Sequence, residues 1–247
     1  MIKRILFITL GIFLAQEIVA QDVQGIIIYQ RKTDWVSIMS RLPYMTQEEI
    51  DRNRLTWGKR SGRGRNYNLF VKGNKSLYTY GEFESESRWS RKSEAYLLLR
   101  DHKSKKAKDV REILGKKYLV KDEIPKLKWK ILNEIKEVEG YLCMKAETIN
   151  KIKGQTVHAW FTDGINFFGG PEGYSGLPGM ILELVINDGD VVVTATSVSL
   201  EETDVKLPVP KKMKGKEITF IDFDIIVKDF IDKSIEGERN PFWRIRY

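Results

Sequence analysis

The sequence predicts an α+β protein in which a mostly antiparallel, curled β-sheet packs on a C-terminal amphipathic helix. Short runs of β-branched and aromatic residues recur along the chain, separated by turn pairs such as Asp163-Gly164 and Asp188-Gly189. Near the end, apolar residues instead return at helical spacing. Because the chain shows neither an internal repeat nor a linker rich in Gly, Pro or Ser, we expect a single domain.

Residues 1–20 have the composition of a secretory signal peptide. Lys3 and Arg4 precede an apolar stretch, and small residues lead to Ala20. That stretch is too short to cross a bilayer as a helix, which needs about 20 apolar residues. We therefore expect cleavage after Ala20, one β-rich domain over residues 21–247, and an exported protein that is periplasmic or associated with the outer membrane. A retained N-terminal anchor is the alternative.

The first half of the chain predicts strands and one short helix. Residues 25–30 read as an opening strand, and residues 67–71 and 76–80 as a hairpin. Thr46-Gln47-Glu48-Glu49 has the form of a capping box, so a helix is expected to begin there. The remaining expectations are a surface loop over residues 82–93, and strands over residues 96–100 and 117–120 around a lysine-rich connection.

The second half gives the clearest elements. Residues 128–133, 141–149 and 155–162 predict a meander, and residues 180–186 and 191–200 predict the strongest hairpin. Thr219 can cap a helix with Asp222. Gly237 and Pro241 supply its end. The apolar stripe of that helix is Phe223, Ile226, Val227, Phe230 and Ile231.

Composition restricts the class of protein. Hydrophobic residues make up 42% of the chain, which argues for a folded core and against disorder. The net charge is +8, but export makes nucleic acid an improbable partner. Cys143 is the only cysteine, so no internal disulfide can form. Nothing in the sequence predicts a cofactor.

A glycine- and proline-rich stretch resembles a known signature. Residues 176–183, Gly-Leu-Pro-Gly-Met-Ile-Leu-Glu, are similar to the motif of the GLPGLI family of exported Bacteroidetes proteins, with Met180 where the family name has Leu. Trp129 and the run Ala159-Trp160-Phe161-Thr162 resemble the same pattern, which extends over residues 67–183. Lys153-Gly154-Gln155 and Asn166-Phe167-Phe168 depart from it. The resemblance implies an envelope location and a β-rich fold, but no activity and no catalytic residue.

The motif also has a direct physical interpretation. Pro178 fixes its own φ and restricts Leu177 to an extended conformation, while Gly179 can adopt positive φ. These preferences predict a type II turn over residues 177–180 that leads stiffly into the next strand. A ligand-binding loop is the alternative.

Charge is unevenly distributed around this motif. Residues 154–205 contain no Lys or Arg. Their acids are Asp163, Glu172, Glu183, Asp188, Asp190, Glu201, Glu202 and Asp204. The pattern predicts either an ordinary solvated face or an acidic, aromatic surface for a cationic or peptide ligand. The candidate ligand-binding residues are Trp160, Phe161, Phe168, Glu172, Tyr174, Leu177, Pro178, Gly179 and Glu183.

Catalytic and metal sites find little support in the sequence. Gly173-Tyr174-Ser175-Gly176-Leu177 resembles a nucleophile elbow, but Leu177 stands where glycine is required and a strand follows instead of a helix. The side chains of Cys143, Met144 and His158 are of types that bind copper. Cys143 and Met144 are adjacent in a predicted strand, so they point to opposite faces and the three cannot converge on one ion. We therefore predict no catalytic residue and no metal ligand.

The sequence favours a non-enzymatic envelope protein that binds a peptide, a lipid-like ligand or an outer-membrane protein partner. We expect it to bind no nucleic acid and not to span the membrane after signal cleavage. The alternative is an envelope hydrolase that uses acidic residues near the motif, among them Glu183. A third interpretation takes the alternation of "FWRIRY" as a terminal strand of an outer-membrane protein, against which the charge runs and the amphipathic helix argue.

Overall fold

The computed structural model describes residues 23–58, 64–81, 95–200 and 205–247. The predicted signal peptide and the predicted loop over residues 82–93 lie outside the described residues. So do the acids Glu201, Glu202 and Asp204.

The expected fold class is confirmed, because all the strands of the described residues join one β-sheet and a C-terminal helix packs against it. In chain order the strands are β1 (Gln24–Thr33), β2 (Arg65–Lys72), β3 (Lys75–Tyr80), β4 (Tyr96–Asp101), β5 (Lys106–Ile113), β6 (Lys116–Glu123), β7 (Lys130–Val138), β8 (Tyr141–Asn150), β9 (Gln155–Thr162), β10 (Met180–Ile186), β11 (Val191–Ser199) and β12 (Lys216–Ile218). Within the described ranges the sheet holds these 12 strands in the order β12-β6-β5-β4-β3-β2-β1-β11-β10-β9-β8-β7. β12 runs parallel to β6, and the other pairs are antiparallel.

The helices are α1 (Trp35–Ser40), α2 (Gln47–Trp57) and α3 (Phe220–Glu236) among the described residues. The expected capping box begins α2: the Thr46 hydroxyl accepts from the Glu49 N–H, and the Glu49 carboxylate accepts from the Thr46 N–H. Thr219 caps α3 by accepting from the Asp222 N–H, also as expected. The sequence did not predict α1, whose cap is the Asp34 carboxylate.

β5 replaces the expected lysine-rich connection. Lys106 and Lys108 are exposed, but they alternate with Ala107 and Asp109, which are buried. This is the period-2 pattern of a half-buried strand. The strand does not appear as an apolar run in the sequence, because Asp109, one of its inward-facing residues, is a carboxylate.

The sheet is strongly curled. β4 and β8 are seven strands apart in the sheet order, which would separate them by roughly 34 Å in a flat sheet with about 4.8 Å between neighbours. Yet Tyr96 of β4 and Asn150 of β8 line the same cavity. Register shifts at Ile28/Tyr29 in β1 and at Ile181/Glu183 in β10 interrupt the ladders, and such bulges bend strands.

α3 covers part of the concave face. Phe220, Phe223, Val227 and Ile231 are buried along one side of the helix, which matches the predicted stripe. The Phe223 ring packs edge-on against Tyr118 of β6, with 5.9 Å between centroids. Each such buried side chain contributes about 1.5–3 kcal/mol of hydrophobic stabilisation. Across the described residues, every helix is too short or too polar to cross a bilayer.

Candidate functional site

A cavity of about 360 Å³ lies between the curled sheet and α3. Its walls come from strands that are distant in sequence, from the β8–β9 turn, from the turn at Pro171–Gly173 and from the segment after α3. The charged and polar residues that line it are Arg100, Arg111, Glu112, Thr148, Asn150, Lys151, Lys153, Gln155, Glu172, Asp224 and Arg246. Aromatic and aliphatic side chains form the rest of the wall.

Glu172 lies in a strained turn at the wall of this cavity. Its backbone has φ 58° and ψ 11°, the left-handed region that side chains other than glycine rarely adopt. Gly173 follows with φ +79°, and a side chain there would meet the Arg100 guanidinium at 2.8 Å. Backbone strain of this kind costs about 1–3 kcal/mol and persists only where the surroundings hold the residue in place.

Four side chains hold the Glu172 carboxylate. Arg246 donates to both carboxylate oxygens, with 2.7 Å between Nε and Oε2. The hydroxyls of Tyr96 and Tyr78 donate from 3.0 and 3.2 Å. Arg31 Nε lies 3.7 Å from Oε1. Burial alone would raise the pKa of Glu172, but Arg246 and Arg31 outweigh it and lower the pKa to about 2.

Aromatic rings surround Arg246 itself. Its guanidinium carbon lies 4.2 Å from the Tyr96 ring centroid and 4.7 Å from that of Tyr67. Nη1 also donates to the Tyr67 hydroxyl at 2.8 Å. Burial, followed by the charge of Glu172, raises the pKa of Tyr78 and of Tyr96, so both hydroxyls stay protonated donors.

A second ion cluster, formed by Asp109, Arg100 and Arg111, lies where α3 meets the cavity. The Asp109 carboxylate is fully buried, and both Arg100 and Arg111 donate to it. The two guanidiniums lie over the Phe220 ring of α3, at 5.6 and 5.5 Å from its centroid. The cluster thereby joins α3 to strands β4 and β5.

Lys153 completes the site from the β8–β9 turn. Its Nζ donates to the backbone carbonyl of Arg246 at 2.5 Å. Burial lowers the pKa of Lys153, and the neighbouring charges of Arg246 and Arg111 lower it further, to about 7. An ammonium close to its own pKa at neutral pH responds strongly to any additional charge placed beside it.

The family described as "N-glycanase peptide, N-terminal domain" matches residues 70–222, more than half of the sequence. The chain belongs to this family. Solved structures of PNGF-II in two crystal forms share the fold: each has a TM-score of 0.56 and 16% identity over 83% of this chain. The chain spans about a third of those structures, 32% and 33%. No curated protein matches the sequence.

The family segment contains only part of the site. Glu172, Lys153 and Asp109 lie within residues 70–222, whereas Arg31 and Arg246 lie outside it. The carboxylate of the central pair therefore belongs to the N-glycanase N-terminal domain family segment, and the arginines that neutralise it come from elements on either side.

Two of the predicted ligand-binding residues line the cavity, Glu172 and Tyr174. Phe161 and Leu177 are buried in the core, at 0% and 3% exposure, and Phe168 is 52% exposed. Pro178 and Gly179 form the turn before β10.

Trp160 and Glu183 lie on the other face of the sheet. They are paired across β9 and β10, and their neighbours Ala159 and Leu184, also paired, point into the core. Lys136 covers this pair: its Nζ donates to Glu183 and lies 4.5 Å from the Trp160 ring centroid.

The expected type II turn is wrong in its geometry. The N–H of Gly179 bonds to the carbonyl of Leu177 at 2.9 Å, which closes a three-residue turn centred on Pro178 instead of a four-residue turn. Met180 pairs with Thr162 of β9, so it belongs to the ladder. The predicted type II turn would instead have had Met180 as its fourth residue. Gly179 does have the predicted positive φ, +146°.

The expected acidic surface is not formed by the central acids of the lysine-free stretch. Glu183 and Asp190 are buried and the Glu172 side chain is only 9% exposed, and each of the three is paired with a cation from another part of the chain. Those pairs are Arg246 with Glu172, Lys136 with Glu183 and Arg41 with Asp190. The expectation failed for these three acids because elements distant in sequence, namely strand β7 and the segments after α1 and α3, bring a basic residue beside each one.

Other chemical candidates have structural roles in the described residues. His102 packs edge-on against Phe167, and its Nε2 lies 3.1 Å from the Ser76 hydroxyl. Burial lowers the pKa of His102 to about 4, so it is neutral. Ser175 is buried, and its backbone forms an isolated antiparallel β-bridge with Gly169. The described residues bring no three His, Cys, Asp or Glu side chains together as a metal site.

Sequence reasoning missed Arg246 and Lys153, although each carried a signal. Arg246 belongs to "FWRIRY", whose alternation suggested a strand. The segment instead forms a short turn at Pro241–Trp243, begun by the Asn240 cap, and returns Arg246 to the cavity. Lys153 and Gln155 fall in the tripeptide that departs from the GLPGLI pattern.

Proposed function

We propose that this domain is a non-enzymatic binding module that takes a small, lipid-like ligand into the cavity between the sheet and α3. The observation that carries the proposal is the cavity itself. Its volume of about 360 Å³ falls in the range of about 300–1,000 Å³ typical of small-molecule sites. Its wall joins an apolar surface to polar groups that converge around Glu172, and small-molecule sites likewise combine apolar walls with convergent polar groups.

The apolar wall is the part that would contact the body of the ligand. It is formed by Ile113, Pro125, Leu127, Ile149, Ile152, Phe220, Phe223, Val227 and Ile245. Tyr80, Tyr96 and Tyr174 contribute aromatic surface. Burying apolar ligand surface against these groups contributes about 25 cal/mol per Å² before the cost of immobilising the ligand.

Binding is better supported than bond cleavage. A general acid must carry a proton at the working pH, but the pKa of Glu172 is about 2 and Arg246 occupies both of its oxygens. Glu183, the other acid proposed for a hydrolase, lies on the opposite face of the sheet and is bound by Lys136 and Thr194. The family description associates this domain with an N-glycanase, and we propose that it contributes ligand binding there.

The same proposal places the domain outside the cytoplasm, in the periplasm or at the outer membrane. The support is the signal-peptide composition of residues 1–20 and the resemblance to the exported GLPGLI proteins. Mass spectrometry of the exported protein should give a chain that begins at Gln21. A chain that keeps its apolar segment would refute this part.

Blocking the cavity tests the proposed binding. The neutral apolar dye phenylnaphthylamine should fluoresce on binding to the wild-type protein, and decanol should displace it. Ile152→Trp fills part of the cavity and should weaken dye binding by about tenfold or more, equivalent to about 1.4 kcal/mol. Ile221→Trp is the matched control, because Ile221 is 72% exposed on the outer side of α3. Equal dye binding by both variants would refute the proposal.

A further inference from the structure

The cavity wall has an excess of positive charge. The cations in it and directly behind it are Arg31, Arg100, Arg111, Lys153 and Arg246, and the carboxylates are Asp109, Glu172 and Asp224. Lys151 and Glu112, which also line the cavity, add one charge of each sign. Five cationic side chains against three carboxylate side chains leave an excess of positive side-chain charge among the described residues around the cavity, where Arg31 also donates to the backbone oxygen of Tyr247 at 3.2 Å.

The excess arises because each buried carboxylate serves two cations. Asp109 binds both Arg100 and Arg111. Glu172 binds Arg246 and lies 3.7 Å from Arg31. Lys153 adds a further ammonium, whose Nζ donates to a neutral backbone carbonyl. Uncompensated charge in a partly buried site is costly, and an anionic ligand would relieve that cost.

Unpaired hydrogen-bond donors point to the same chemistry. Gln155 and Arg100 both line the cavity and are 2% and 4% exposed. Gln155 Nε2 and Arg100 Nε have no hydrogen-bond partner within the described parts of the chain. A buried donor without an acceptor costs about 1–3 kcal/mol, which a ligand oxygen would recover. Excess positive charge and spare donors both favour a ligand rich in acceptor oxygens.

We infer that the ligand of this cavity is an anionic amphipathic molecule, whose carboxylate, sulfonate or phosphate group binds at Lys153, Gln155 and Arg100. Its apolar body lies against Ile113, Ile152 and Phe223. The inference rests on the proposed function, because it assumes that the cavity binds a ligand, and it adds the chemical class of that ligand.

Three competitors of phenylnaphthylamine separate the head group from the apolar body. Decyl sulfonate carries both, decanol carries the same chain without charge, and inorganic phosphate carries only an anion. The wild-type protein should bind decyl sulfonate at least about tenfold more tightly than decanol, because hydrogen bonds to charged groups contribute about 1.5–3 kcal/mol. Phosphate alone should compete much more weakly than decyl sulfonate.

Lys153→Met tests the residue that the inference places at the head group. This variant should lose most of the preference for decyl sulfonate and keep its affinity for decanol. Lys108→Met is the matched control, because Lys108 is an exposed lysine on the outward side of β5, its ladder partners Leu99 and Lys121 do not line the cavity, and its loss changes the net charge equally. It should keep the full preference. Thermal melts of both variants confirm that each is folded.

A pH series gives a second measurement on the wild-type protein. Decyl sulfonate stays ionised throughout, whereas Lys153 loses its proton as the pH rises through about 7. The preference of the protein for decyl sulfonate over decanol should therefore fall several-fold between one pH unit below and one pH unit above that pKa. The charged groups that face Lys153 are Arg31, Arg111, Glu172, Asp224 and Arg246. The arginines stay charged and Glu172 stays ionised over this range, so Lys153 dominates the change.

The outcomes separate the inference from the proposed function. Equal affinity for decyl sulfonate and decanol in the wild-type protein would overturn the inference and leave the binding module intact. Failure of both compounds to displace the dye would overturn the inference and the proposed function together. Phosphate that competes as well as decyl sulfonate would overturn the amphipathic class and show a site for a free anion.

Discussion

Glu172 and Glu183 lie in the same stretch without Lys or Arg, and each is neutralised by a cation from elsewhere, but the two surroundings differ in kind. Glu172 is in a strained turn, bound by two arginines and two tyrosines at a cavity. Glu183 is in strand β10, at the register shift between Ile181 and Glu183, and it is bound by one lysine and one threonine on the outer face. The first arrangement needs support from four distant elements, whereas the second needs Thr194 of the adjacent strand β11 and Lys136 of β7, three strands away in the same sheet.

The difference follows from what positions each carboxylate. The turn at Glu172 has no ladder of its own, so its side-chain contacts hold the backbone in a conformation that it would not choose alone. The region of Glu183 is held by the backbone, since Met180 pairs with Thr162 and the chain enters the β9 ladder there, directly after Gly179. We therefore expect stability to depend on the charges of the side chains around Glu172, and on the backbone conformation at the start of β10 in the region of Glu183.

Glu172→Gln should have the largest effect. The change leaves Arg246 and Arg31 next to Lys153 without a buried counter-charge, and breaking such a pair costs about 3–5 kcal/mol. Urea unfolding at neutral pH measures the loss. Removing Arg246 in the same chain should recover part of it, because one unpaired cation disappears. A loss of unfolding free energy below about 1 kcal/mol would mean that the ion pairs of Glu172 stabilise the domain no more than surface ion pairs do.

Gly179→Ala should destabilise the domain by about 3 kcal/mol. Positive φ disfavours alanine, and the new Cβ would lie 2.0 Å from the Thr162 carbonyl oxygen, so β9 and β10 must separate. Gly189→Ala is the control, because Gly189 has φ +122° but nothing within 4 Å of the position that a Cβ would take. Its cost should be that of φ strain alone, about 1 kcal/mol. Equal unfolding free energies for the two variants would show that the contact with Thr162 is unimportant.

The same comparison explains what could be read from the sequence. The ladders, the α2 capping box and α3 follow from spacing and cap residues within a few positions, and local patterns reveal them. The stiff start of β10 was predicted for that reason, although the turn proved one residue shorter. β5 was missed because its inward residues include Asp109.

The site could not be assembled in the same way. Arg246 and Glu172 are 74 residues apart, and neither position reveals the other without the curl of the sheet. The uneven charge along the chain was visible, but it suggested an acidic surface because sequence neighbours were assumed to remain neighbours in space. In a sheet whose order places β1 beside β11 and β4 seven strands from β8, that assumption fails.

Acid should destabilise the first region more than the second. Glu172 has a pKa of about 2, below its usual value of 4.5, so its contribution is complete above about pH 4.5 and is lost as the pH falls towards 2. Between about pH 6 and about pH 3 the loss should be about 2 kcal/mol. The wild-type protein and Glu172→Gln are compared by urea unfolding at both values. If their difference in stability does not narrow on acidification, the lowered pKa is wrong.

Glu183→Gln should have the smallest effect, about 1 kcal/mol or less. The side chain of its partner Lys136 is 33% exposed, so the freed ammonium can turn to water more easily than Arg246, whose side chain is 19% exposed and enclosed by tyrosine rings. Thr194 can still bond to the amide, and Lys136 can stay over the Trp160 ring. Urea unfolding beside Glu172→Gln is the measurement. A loss of about 3 kcal/mol would place the two glutamates in the same class, and it would show that access of the partner cation to water does not decide the cost of losing the carboxylate.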